Sequence, residues 1–104
     1  MTIQFNSDNN LTVHEEFREK LKSTLSEELN RFSEHITRLE VYLSDENGSK
    51  FGPNDKKCLL EARVEGRPPI AVSAGAGNYE LAVDNAVDKL KSSLNTVFGR
   101  QGKH

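Results

Sequence analysis

The sequence predicts an α+β domain with the element order β-α-β-β-β-α, folded as a four-stranded mixed sheet with two helices packed on one face. Three observations predict it. Apolar residues recur every three or four positions in two long stretches, they alternate with polar residues in four short ones, and clusters of Gly, Pro, Asn and Asp separate the stretches. A chain of 104 residues lies in the single-domain range. The expected division is one domain over residues 1–98 and a short basic tail over 99–104.

Thr2-Ile3-Gln4-Phe5-Asn6 alternates before the turn-forming run Ser7-Asp8-Asn9-Asn10, the pattern of a first strand that aims Ile3 and Phe5 inward. From Val13, the residues Phe17, Leu21, Leu25, Leu29 and Phe32 form a helical stripe of about five turns, with Thr12 as N-cap and Glu15 in the capping-box position. Leu39, Val41 and Leu43 alternate with Arg38, Glu40 and Tyr42 in a half-buried strand. The polar segment from Asp45 to Asp55 reads as a long exposed loop anchored by Phe51.

Cys58, Leu60, Ala62 and Val64 mark a third strand, and Gly66-Arg67-Pro68-Pro69 turns the chain into a fourth at Ile70-Ala71-Val72-Ser73-Ala74. Gly75-Ala76-Gly77 reads as a tight turn. Asn78 then caps a helix whose apolar positions are Tyr79, Ala82, Val83, Ala86, Val87, Leu90, Leu94 and Val97 or Phe98, with Gly99 as its stop. The first helix crosses over between strands one and two, which predicts a parallel pair if they are adjacent. The later short turns predict antiparallel neighbours.

Composition excludes several classes. No apolar run approaches the roughly 20 residues of a membrane span, and residues 1–11 lack the basic start and apolar stretch of a signal peptide, so a cytoplasmic location is expected. The single cysteine, Cys58, permits no intrachain disulfide and no thiolate cluster; it falls on the inward parity of its strand, where a free thiol acts as a small hydrophobe. His14 and His35 stand at opposite ends of the first helix, too far apart to share a metal, and His104 is terminal. There is no HExxH, no Ser or Cys nucleophile with an evident base, and Gly75-Ala76-Gly77 lacks the third glycine of a phosphate-binding fingerprint. The expectation is a non-catalytic protein with no cofactor, metal or small-molecule substrate.

The net charge of -2 argues against a generic nucleic-acid or DNA binder. Its distribution is uneven: residues 1–88 carry ten Lys and Arg against sixteen Asp and Glu, whereas residues 89–104 carry Lys89, Lys91, Arg100 and Lys103 and no acid. Lys89 and Lys91 lie about 100° to either side of the apolar stripe of the second helix, able to meet phosphate or merely to solubilise the helix.

Arg18 in the first helix, Arg31-Phe32 closing it, Ile36-Thr37-Arg38-Leu39-Glu40-Val41 opening a strand, and Tyr79-Glu80-Leu81-Ala82-Val83-Asp84-Asn85-Ala86-Val87-Asp88-Lys89-Leu90 resemble the hibernation promoting factor and ribosome-associated inhibitor family, also called sigma-54 modulation proteins. The segment Leu43-Ser44-Asp45-Glu46-Asn47 and the loop after it look like a variant branch with a longer connection. The resemblance implies the same four-stranded sheet with two helices on one face, similar to double-stranded RNA-binding domains. It also implies binding to the small ribosomal subunit through rRNA phosphates, with inhibition of translation or ribosome hibernation by steric occlusion. Carried over residue by residue, the candidate rRNA contacts are Arg18, Lys22, Lys89, Lys91, Arg100 and Lys103, with Arg31, Lys56 and Lys57 as weaker ones.

The sequence departs from that pattern in two places. Ser92 to Phe98 stands where the family's last helix continues with Arg and Lys, and Glu27-Glu28 stands in a stretch that is Lys-rich in relatives. Fewer cations imply weaker and less salt-dependent binding. The chain ends at His104 without the C-terminal domain through which long members pair ribosomes, so it is expected to act on one ribosome at a time. The competing expectation is a divergent paralogue without rRNA affinity, acting as a protein-binding regulatory module.

Overall fold

A chain with alternating strands of this kind has one apolar sheet face to hide, and two amphipathic helices are what it has to cover it. The computed structural model describes residues 1–7, 15–45 and 56–98. Its elements are β1 (Thr2–Ser7), α1 (Glu15–Glu28), a 3-10 turn (Asn30–Phe32), β2 (Ile36–Asp45), β3 (Lys56–Val64), β4 (Ile70–Ala76) and α2 (Tyr79–Val97). The strands lie in the spatial order β1-β2-β3-β4. β1 pairs parallel with β2, and the other two pairs are antiparallel, as the connections require. The predicted mixed sheet and element order are therefore observed.

Register explains the core. Leu39, Val41 and Leu43 of β2 stand opposite Ala62, Leu60 and Cys58 of β3, and all six are buried. α2 lowers Ala82, Val83, Ala86, Val87, Leu90 and Leu94 onto this face; the two alanines in that stripe let the helix sit close to the strands. Leu21, Leu25 and Leu29 bring α1 into the same cluster. Ile3 and Phe5 point the predicted way but remain only partly buried, because β1 is an edge strand. Burial drives the Cys58 thiol up to about 12, which leaves it un-ionised at neutral pH.

Three details differ from the sequence expectation. The first helix does not continue regularly to Phe32: after Glu28 the chain tightens, with the Phe32 amide donating to the Leu29 carbonyl at 2.9 Å, and this 3-10 turn tucks Phe32 into the core. β2 is longer than its alternating centre, since Ile36 and Asp45 still find partners on β3. Gly75 and Ala76 are not a turn; they extend β4 and pair with Lys57 and Lys56, leaving Gly77 and Asn78 to enter the helix. Among the described residues the glycine that needs its freedom is Gly66, at φ 76°, third residue of a turn closed by the Arg67 amide on the Val64 carbonyl.

Asn78 caps α2 as expected, its side-chain oxygen accepting from the Leu81 amide at 2.8 Å. The expected roles of Thr12, His14, Phe51 and Gly99, the loop over 46–55, and the tail with Arg100, Lys103 and His104 lie outside the described residues.

Two substitutions measure this framework in urea denaturation. Leu25→Ala, at a fully buried site, should lower stability by about 2–5 kcal/mol. Asn78→Ala should lower it by about 1 kcal/mol through the lost cap.

Candidate nucleic-acid interface

The helices run side by side in the same direction, and their facing edges are laced by polar pairs. Lys20 meets Glu80 at 3.0 Å near the start of α2, and Lys91 meets Glu28 at 2.8 Å further along. Arg31 donates to the Asn95 side-chain oxygen at 2.6 Å and stacks its guanidinium 4.7 Å over the Phe32 ring. Each exposed ion pair contributes at most about 1 kcal/mol, but together they neutralise the groove between the helices. Lys91 and Arg31, both predicted contacts, are thus engaged within the chain.

Lys89 lies on the opposite flank of α2. Its ammonium donates to the Ser73 carbonyl at 2.8 Å, and Asn85, one turn earlier, reaches the Gly75 carbonyl at 3.5 Å. Both acceptors belong to β4, which among the described residues has no neighbour strand on its outer side. The pair of side chains covers an open sheet edge, a common defence against unwanted strand pairing.

Arg18 and Lys22 stand one turn apart on the outer flank of α1, facing away from α2. With Glu15 and Glu19 they line a shallow groove whose other wall is Thr2 to Phe5 of β1. Arg18 approaches Glu15 at 3.7 Å and is nearly half exposed, so its guanidinium is available. Lys56 and Lys57 open β3, and the Lys56 ammonium sits 5.9 Å from the Tyr79 ring. The predicted cations are consequently divided: Arg18 and Lys22 on one flank, Lys91 and Arg31 in the groove, Lys89 on the far edge, Lys56 and Lys57 at the end of a strand.

Two groupings escaped sequence reasoning. At the closing end of the helices His35 stacks on Phe98 at 4.0 Å with the rings 6° apart, and Arg67 lies 5.3 Å over the same Phe98 ring. These residues come from the turn before β2, the β3–β4 hairpin and the end of α2, so their meeting is tertiary; the Arg-Pro-Pro turn was the only local hint. The second grouping covers the open face of the sheet. Tyr42 donates to Glu40 at 2.7 Å, Asn6 donates to the same oxygen at 3.3 Å, and Arg38 holds the other carboxylate oxygen at 3.0 Å. That Arg38 Nε contact is an ion pair out of line for a hydrogen bond. Arg38 also donates to Gln4, which in turn donates to Asn6.

The Tyr42 hydrogen bond, with the Arg38 and Arg63 charges, holds the Glu40 carboxyl below its ordinary value against a partial desolvation that raises it. The same bond pushes the Tyr42 phenol above its ordinary value.

A family model described as sigma 54 modulation protein / S30EA ribosomal protein matches residues 3–101. The chain belongs to this family. Its fold is similar to that of the Thermus thermophilus Protein Y N-terminal domain, with a TM-score of 0.72, 18% identity, and coverage of 93% of this chain and 99% of the other. A ribosomal subunit interface protein from Coxiella burnetii is equally similar, with a TM-score of 0.72, 17% identity, and coverage of 93% and 97%. Comparison with curated protein sequences gives no match.

The open-face network sets the pH response. The Glu40 contribution is complete above its ordinary value of 4.5 and is lost as pH falls through its lower folded value. The Tyr42 contribution is complete below 10.0 and is lost as pH rises through its higher folded value. Thermal melts across pH should therefore lose the Glu40 acid dependence in Glu40→Gln and show a weaker alkaline one, since desolvation and Glu61 still raise Tyr42.

Proposed function

We propose that this protein binds the ribosome at the small subunit, holding rRNA phosphates with surface cations, and that it inhibits translation or promotes hibernation by occupying space without making or breaking a bond. The observation that carries the reading is membership of the family over residues 3–101, and the similarity in fold to a ribosomal subunit interface protein agrees with it.

The cations best placed for phosphate are Arg18 and Lys22, which lie on one exposed helix flank. Arg67 offers a second point, its guanidinium oriented by the Phe98 ring and its edge free for bidentate contact with a phosphate. Lys89 keeps two further donors beyond the one given to Ser73, so it still serves as a phosphate contact, and Lys91 does so on releasing Glu28. Arg100 and Lys103 would extend this set from the tail, and Arg31, Lys56 and Lys57 would contribute less. With about four phosphates neutralised, log K should fall with log salt at a slope of roughly -3 to -4.

A second reading, a protein-binding module without rRNA affinity, is favoured by the laced groove, where Glu80, Glu28 and Asn95 occupy Lys20, Lys91 and Arg31. Cosedimentation with small subunits and with intact ribosomes over a salt series separates the two. The ribosome reading predicts saturable pelleting at low salt. It also predicts that Arg18→Glu, Lys22→Glu removes most of the binding and flattens the salt slope by roughly 1.4–1.8. Absence of pelleting at low salt would leave the protein-binding reading.

A further inference from the structure

We propose that a second copy of this chain docks along the outer edge of β1, joining two sheets antiparallel through β1 and setting α1 against its symmetry mate. The inference starts from an asymmetry between the two sheet edges. β4 is covered by Lys89 and Asn85, which cap its Ser73 and Gly75 carbonyls. β1, the other edge strand, has no such cover among the described residues, and among them no neighbouring strand takes up its outer backbone donors and acceptors.

The groove beside that edge carries its own complement. Its α1 wall reads Glu15, Arg18, Glu19, Lys22. Turned by a two-fold axis and laid antiparallel, this order places Glu15 against Lys22 of the second copy and Arg18 against Glu19, with the same two pairs repeated across the axis. Every acid meets a base. In the strand pairing, directly opposite residues face the same side of the sheet, so the axis passes at Gln4 and sets Ile3 opposite Phe5 of the second copy. The strand and the helix run line one groove, and each would make an isologous contact with its own symmetry mate.

Layer spacing fits as well. Two strands span about 10 Å and a helix is about 10 Å across, so two helices cover four strands and four would cover the joined eight without a gap. Ile3 and Phe5, partly buried in one copy, are the apolar side chains the contact would cover further. Glu15 is 79% exposed and Arg18 46%, so neither must leave a buried partner to change from intrachain to interchain pairing. Because it uses Arg18 and Lys22, self-association excludes phosphate from that flank; the contact itself does not depend on the ribosome reading.

Sedimentation equilibrium of the full chain over a concentration series, without nucleic acid, tests the proposal. The weight-average mass should climb from 11.7 kDa toward twice that value and fall back in high salt. Arg18→Glu, Lys22→Glu alone and Glu15→Lys, Glu19→Lys alone should each stay monomeric, and their equimolar mixture should regain the dimer, which also establishes that both variants are folded. A wild-type mass fixed at 11.7 kDa up to millimolar concentration would overturn the proposal. So would a dimer that survives in either charge variant alone.

Discussion

Everything in this molecule follows from the burial of one face of the β2–β3 pair. Leu39, Val41 and Leu43 lie opposite Ala62, Leu60 and Cys58 in a register fixed by alternation, and a slip of one residue would move the whole set into water. That face commits α2, and behind it α1, to the same side of the sheet. The opposite face is thereby left to Gln4, Asn6, Arg38, Glu40 and Tyr42, whose charges and amides satisfy one another. The position of each surface group is a consequence of which side the apolar residues take.

The same constraint distributes the cations. A helix laid on a sheet has two free flanks, and Lys89 and Lys91, two residues apart, must fall on different ones. Lys89 goes to the β4 edge and Lys91 to the neighbouring helix, where Glu28 meets it. Arg18 and Lys22, four residues apart, share a flank. The chain therefore presents small basic points separated by its own acids instead of one continuous basic surface, which suits a ligand whose phosphates are spaced along a path more than a compact polyanion. For a protein of net charge -2 this local arrangement carries more weight than the total.

The fold was legible in the sequence because period and punctuation agree at every element, from Ile3 and Phe5 in the first strand to the Asn78 cap. Where the expectation failed, a nonlocal partner decided the outcome: Gly75 and Ala76 became strand because Lys57 and Lys56 lay opposite them, and the first helix tightened after Glu28 to bring Phe32 into the core. The candidate site was less legible. The family resemblance named Arg18 and Lys22 as candidates without placing them together, and the pairing of Lys91 with Glu28 spans 63 positions and that of Arg31 with Asn95 spans 64. The stack of His35 on Phe98 under Arg67 likewise joins three distant segments, hinted at locally only by the Arg-Pro-Pro turn.

Directed hydroxyl-radical probing tests the central claim most directly: that the α1 flank meets ribosomal RNA. An iron chelate is tethered at position 22 in Lys22→Cys, with Cys58 left in place because its buried, un-ionised thiol does not compete for the label. The account predicts a compact set of strand breaks in the small-subunit rRNA, suppressed by excess unlabelled protein and by raised salt. Labelled protein that pellets with ribosomes yet cleaves no rRNA would contradict it, since the flank carrying Arg18 and position 22 would then face away from the RNA.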